Sequence, residues 1–345
     1  MTSFLDHAGC WFLHSGIQES DGGVARFYRS DSGTNAPVST EITGYAASAL
    51  AFLHSRTGKQ EYLDAAVHAA RYLTDQAWNP TASTFPFEPG SDRAYFFDIG
   101  IIVRGLLAVW RATGEEDFRT RAQEAALSLA FDFLGDGSFH PVISLPDKQP
   151  LGEEPKWSRK PGCYQLKSAL AWREVDDPAG KQIFDAALAF AVANHEIFLQ
   201  EETDREKLMD RLHAYCYFLE ALLFTGEKDA LASGIRATAK LLREIAPSFE
   251  RSDVNAQLLR VRLIAHHLDL VPLDEAAALE EASRTASFQS KDVDPRVRGG
   301  FWFGRKGSQM LPFSNPVSTA FCLQALALWD DHQAGRWSFE LPQLI

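Results

Sequence analysis

Cysteine is scarce. Four occur in 345 residues, at positions 10, 163, 216 and 322, with no CxxC pair and no zinc spacing. Cysteines this far apart carry no zinc motif, and in a chain this long they read as buried thiols rather than a disulfide frame. A basic excess is also missing. The net charge is −12, whereas a general nucleic-acid binder needs the opposite balance to displace counterions from phosphates. No apolar run reaches the roughly 18 residues of a membrane span. The longest stretches, 42–53 and 186–193, stop short. The opening MTSFLDHAGCWFLHS has neither the basic nor the apolar region of a secretory signal, so the expected compartment is the cytoplasm. HExxH, a Walker loop, GxGxxG after a strand and EF-hand spacing are all absent, so no metal and no cofactor are expected. Nor does any Pro/Gly/Ser-rich linker divide the chain, which reads as one domain over 1–345.

What remains is a globular composition, 46% hydrophobic and 23% charged, with a strong helical rhythm. Tyr62, Ala65, Ala66, Ala69, Tyr72 and Leu73 mark one face of a helix with Lys59, Glu61, Asp64, Arg71 and Asp75 between them. Phe118, Ala122, Ala125, Ala126, Leu129 and Phe133 repeat the pattern, and 183–198, 230–245 and 273–286 continue it. Between these half-wet helices lie six others, over 42–53, 99–110, 164–172, 215–224, 254–264 and 317–329, that are apolar around most of their circumference. A helix apolar on all sides is buried on all sides. Arg104, Lys167, Arg260 and Arg262 interrupt them, and charges there require partners.

The connections alternate as well. Short turns such as RTGK (56–59), ATGE (112–115) and FTGE (224–227) lead from a buried helix to an exposed one, with glycine where a left-handed residue ends a helix. Long stretches, 77–97, 134–162, 199–212, 246–252 and 289–314, lead back. The segment 16–40 is of the same kind, and 24–28 and 300–303 could form small hairpins. With 2–15 pairing to the last buried helix, six inner and six outer helices are expected. They form an all-α, (α/α)6 toroid with the long loops gathered over the N-termini of the inner helices.

Four stretches, STEITGYAASALAFL from Ser39, FDIGIIVRGLLAVWRATGEEDF from Phe97, LHAYCYFLEALLFTG from Leu212 and NPVSTAFCLQALALW from Asn315, resemble the six-hairpin glycosidase-like superfamily, and in particular its bacterial polysaccharide-associated members. The resemblance implies the toroid, an active site where the inner helices begin, and one of several chemistries: glycoside hydrolysis, uronyl hydrolysis, lysis or sugar epimerisation. QESDGG from Gln18 and GGFW from Gly299 also resemble terpenoid-cyclase toroids, but the aspartate-rich motifs of those enzymes are missing.

The inner-helix starts offer Glu41, Asp98, Tyr164, His213 with Tyr215, Asp253 with Gln257, and Asn315. Asp98, between Tyr95-Phe96-Phe97 and Ile99, is the first candidate for a general acid, because aromatic neighbours desolvate a carboxyl; the competing reading is a helix N-cap. Glu41 or Asp253 would be its partner, two carboxyl groups being what glycoside hydrolysis needs. His213 and Tyr215 would instead suit a uronate lyase or an epimerase, although residues two apart on a helix diverge by about 200°. In the long connections Tyr28, Tyr95, Trp157 and Trp302 stand with Phe27, Phe85, Phe87 and Phe301 as surfaces on which sugars stack. Arg26, Arg29, Arg93, Arg159 and Arg305, with Arg298, supply forks for carboxylates, or else pair with local acids. His266-His267 reads as solvent-facing. The expected activity is a glycosidase acting on an oligosaccharide or other small polar ligand that can carry uronic acid. The rivals are a lyase or epimerase, a non-catalytic glycan-binding toroid and a terpenoid cyclase. No nucleic acid or membrane partner is expected, and the oligomeric state is left open.

Overall fold

A computed structural model describes residues 4–152, 154, 156–175, 178–200, 202–246 and 248–345. The first two residues of the expected helix 2–15, and single positions in the connections 134–162, 199–212 and 246–252, lie outside the described residues. Twelve α-helices are present among the described residues: α1 (Phe4–His14), α2 (Thr40–Thr57), α3 (Gln60–Arg71), α4 (Phe96–Thr113), α5 (Glu116–Phe131), α6 (Gln165–Glu174), α7 (Pro178–Gln200), α8 (Arg205–Leu222), α9 (Lys228–Ile245), α10 (Ser252–His267), α11 (Glu275–Ala286) and α12 (Pro316–Gln333). Strands are short and antiparallel. β1 (Tyr28–Arg29) lies between β2 (Thr34–Asn35) and β8 (Phe313–Ser314). β3 (Arg93–Tyr95) pairs with β4 (Val142–Ser144), and β6 (Gly304–Lys306) lies between β5 (Phe249–Arg251) and β7 (Gln309–Met310).

The chain forms two compact units. One comprises residues 18–26 and 36–195, the other 1–17, 27–35 and 196–345, so the boundary falls within α7. In the first unit α2 and α4 touch backbone to backbone. A methyl group on Gly105 would lie 2.4 Å from the Gly44 carbonyl oxygen, and one on Gly44 would lie 3.0 Å from the Ile102 Cα. Only glycine permits that approach. Ser168 Oγ of α6 donates to the Phe97 carbonyl of α4 at 2.8 Å, and Arg104 of α4 reaches Glu174 of α6 at 2.6 Å. Both contacts advance in the same direction along the two helices, so α4 and α6 are parallel. In the second unit His213 and Glu220 of α8 meet Gln257 and Arg260 of α10. Asp253 and Arg260 of α10 meet Ser318 and Gln324 of α12. These three are parallel by the same argument, and α1 packs on α12. Within each unit, then, the inner helices start at one end.

Gly58 and Gly114 end α2 and α4 with φ of 69° and 75°, each N–H closing on the carbonyl four residues back. Gly226 adopts no positive φ, because α8 has already ended at Leu222. The connection into α8 is also shorter than expected. Asp204 accepts hydrogen bonds from the Glu206 and Lys207 amides and starts the helix at Arg205. Its first turns are wet and polar, and they resemble loop in composition. The inner charges have partners: Arg104 and Arg111 share Glu174, Arg260 pairs with Glu220, and Arg262 with Glu281. None of the four cysteines is in a disulfide, and three of them are buried.

Candidate active site

The first unit brings Glu41 and Asp98 together. Each lies in the first turn of its helix, and the close packing of α2 on α4 sets their neighbours. Asp98 is not the N-cap of α4. Tyr95 holds that position, and its side chain makes no capping bond. Asp98 is buried, and its Oδ2 accepts no hydrogen bond among the described residues. Burial, and then the charge of Glu41, raise Asp98 well above the ordinary carboxyl range, against the pull of Arg26 and Lys156. Glu41 is half-buried. Burial lifts it to about 7, and the same two cations oppose the shift. The pair titrates as a unit: Glu41 gives up its proton first, and Asp98 keeps its own.

Around this pair the loops are aromatic. Phe87 lies 5.1 Å from Tyr95 with the rings tilted, Trp157 meets Tyr164 edge-on at 5.0 Å, and Tyr164 lies 5.9 Å from Phe97. Tyr164 is buried, donates to the Lys160 carbonyl at 3.0 Å, and is pushed up in pKa by burial. The Arg26 guanidinium lies over the Phe87 ring at 4.8 Å and pairs with Glu88. Arg93 pairs with Asp92, and Arg159 with Glu154.

The second unit holds a different constellation. His213 lies eight residues into α8 rather than at its start. Its Nδ1 is 2.8 Å from Gln257 Oε1 and 3.7 Å from Asp253 Oδ2. A nitrogen facing two acceptors carries the ring proton, so Nε2 accepts from the Tyr217 hydroxyl at 2.9 Å. Asp253 is gripped by the Arg251 fork at 2.9 and 2.7 Å, and Arg251 reaches Asp210 at 2.7 Å. Burial and the Arg251 charge lower His213 to about 4 despite Asp253, so the ring is neutral. Burial works against ionisation of Asp253, yet Arg251 and His213 hold it below the usual range. Gln257 Nε2 is buried without a hydrogen bond among the described residues.

Tyr215 does not join this cluster. Its hydroxyl packs on Gly234 of α9, as the angular separation required. Tyr217, Arg251 and Asp210 were missed by the sequence reading. The signal for Tyr217 was its i+4 spacing from His213, which puts two side chains on one helix face. Of the remaining candidates, Tyr28 is buried beneath Arg296 and Arg29 pairs with Asp31. Arg305 pairs with Glu250, and Trp302 bridges to Ser314. Asn315 caps α12 by accepting from the Ser318 amide at 2.6 Å. His266 and His267 are half-buried and in ring contact with His332. No group of three or more potential metal ligands occurs among the described residues, and no helix there is long and apolar enough to cross a membrane.

No protein-family model and no curated protein matches the sequence. Solved structures do match the fold. Cellobiose 2-epimerase from Spirochaeta thermophila DSM 6192 aligns with a TM-score of 0.72 at 16% identity, over 95% of each chain. A D-mannose isomerase aligns at 0.68 and 10% identity, over 95% of this chain and 98% of its own. The GH76 α-mannanase of Bacteroides thetaiotaomicron aligns at 0.61 and 12%, over 95% and 97%. The likeness shows the fold, an (α/α)6 toroid. At these identities the likeness fixes the architecture, and the reaction must be argued from the residues.

Proposed function

We propose that this protein is a carbohydrate-active enzyme, a glycoside hydrolase acting on an oligosaccharide through Asp98 and Glu41. The observation that carries this reading is the coupled carboxyl pair, with Asp98 buried and Oδ2 unbonded. A structural acid in that position would be expected to have a donor. Above about pH 7 the pair holds one proton on Asp98 and a charge on Glu41. Asp98 donates that proton to the glycosidic oxygen as the C–O bond breaks, and Glu41 attacks the sugar carbon or activates a water. Phe87, Tyr95 and Trp157, which are only half-buried, offer surfaces for sugar faces. Arg26 and Lys156, the cations that act on both carboxyls, are the groups to hold a uronate unit. Neighbours that act on cellobiose, mannose and mannan agree with a sugar substrate.

The test is turnover of neutral and uronate-bearing oligosaccharides by Asp98→Asn and Glu41→Gln variants. Each is expected to lose about 10²- to 10⁴-fold in kcat, the usual contribution of acid–base catalysis. Wild-type turnover in both variants overturns the assignment.

A second reading, epimerisation, is favoured by one observation: His213 is held neutral, with its tautomer set by Asp253 and Gln257. It predicts deuterium uptake from solvent without cleavage, abolished by His213→Asn and indifferent to Glu41→Gln.

A further inference from the structure

On the first unit, beside α5, lies an open cleft of about 510 Å³ whose lining includes Trp78, Arg121, Glu124, Phe131, Asp132 and Lys148. Three features set it apart from ordinary surface. First, its apolar wall is bare. Phe131 is 74% exposed and Leu127, one turn earlier, 52%. Second, its backbone is unusual. Ser83 and Lys148, which both line the cleft, have φ of 48° and 53°, and only one other non-glycine residue among the described ones, Asp269, has positive φ. Such conformations persist where surrounding structure enforces them, and they gather at binding sites. The π-helical turn Tyr72–Ala77 ends at Trp78, another local distortion frequent at functional positions. Third, its charges cancel. Arg121 bonds Glu124 and lies over the Trp78 ring at 4.4 Å, while Lys148 bonds Asp132 at 2.7 Å.

We propose that this cleft is a second, non-catalytic saccharide site that takes a neutral sugar unit. The choice of a sugar rests on the carbohydrate reading above; the cleft itself does not. An unpartnered ring beside ion-paired polar groups matches a pyranose, which has an apolar C–H face and a rim of hydroxyls. Asp132 Oδ2 already accepts from Ser128 at 2.6 Å and from Lys148, which leaves Oδ1 without a protein donor among the described residues. Glu124 offers its second oxygen in the same way. Vicinal hydroxyls donate to such oxygens. With two cations balanced by two anions, nothing in the lining selects for a charged ligand.

The experiment is an array of neutral and uronate-bearing oligosaccharides probed with the full chain, with Phe131→Ala and with Asp98→Asn. Phe131 is exposed enough for its truncation to spare the fold. The wild type and Asp98→Asn are expected to bind neutral saccharides, and Phe131→Ala to lose at least about tenfold in affinity while turning over short substrates normally. The proposal falls if no neutral saccharide binds, if only acidic ones do, or if Phe131→Ala binds as the wild type does. It falls equally if Phe131→Ala converts a dimer to a monomer in sedimentation, for the bare stripe is then a contact between copies. Neutral binding through Phe131 without cleavage of any sugar sinks the hydrolase reading and leaves this one standing.

Discussion

A carboxyl buried without a donor is costly to ionise, and Asp98 avoids that cost by keeping its proton. Glu41 meets the same burial cost and shows it in its own titration. Its pKa rises from an ordinary 4.5 to about 7 in the folded chain, so the unfolded chain releases this proton first as pH rises. Folding is therefore unpenalised below about 4.5, and the penalty grows until the pH passes about 7. Glu41→Gln removes it. Discounted for the partial exposure of Glu41, the variant should be more stable than wild type by about 2 kcal/mol at pH 8 and by nothing at pH 4. Chemical denaturation at the two pH values checks this, and equal gains at both would refute the burial argument. In catalysis the same group must be ionised, so wild-type turnover should rise as pH climbs through about 7. Asp98 and Glu41 were legible in the sequence because position alone places them, an acid in the first turn of a buried helix. Tyr217 was not, because a tyrosine inside an apolar helix reads as core until its hydrogen-bond partner is seen.

Helices set those positions, and the contact between α2 and α4 does so most directly. Gly105→Ala would drive a methyl group to within 2.4 Å of the Gly44 carbonyl, a backbone atom that cannot swing aside. The helices must separate, at about 1–3 kcal/mol for overpacking of this kind. Separation also lets water in beside Glu41 and weakens the burial that raises its pKa. Gly105→Ala should therefore lose activity and shift the acid limb of its pH profile below 7. Gly114→Ala is the control. It sits at φ 75° with open space around it, and should cost about 1 kcal/mol through backbone strain while leaving the profile unchanged. Thermal melts together with pH–rate curves separate the two effects. At this scale the sequence was most readable where apolar periodicity was strong, as in α2, α4 and α12. It was least readable in α8, whose first two turns, REKLMDRL, carry the charge of a loop and the backbone of a helix. Nothing local distinguishes them except the Asp204 cap, which sits four residues after the end of α7.

Across the whole molecule, alternation of dry and wet helices sufficed to predict six inner and six outer helices, because burial on all sides leaves a composition that no surface helix shares. What alternation could not show is how each unit secures its inner helices against sliding. In the first unit Arg104 and Arg111 converge on the buried Glu174. In the second, the fully buried Arg260 pairs with Glu220, donates to Gln324 at 2.9 Å, and lies 4.1 Å over the Phe321 ring, so it ties α8, α10 and α12 together. A buried ion pair stabilises little overall, but the loss of one member strands the other charge. Arg260→Met should therefore destabilise by about 3–5 kcal/mol, and Arg260→Met with Glu220→Leu should recover most of it. The two locks lie in different compact units. Amide exchange of Arg260→Met should accordingly lose protection first in α8, α10 and α12, with α2, α4 and α6 retaining theirs. Equal loss in both sets would mean that the units open together. A double variant no more stable than the single one would mean that Arg260 acts through packing on Phe321 rather than through its charge.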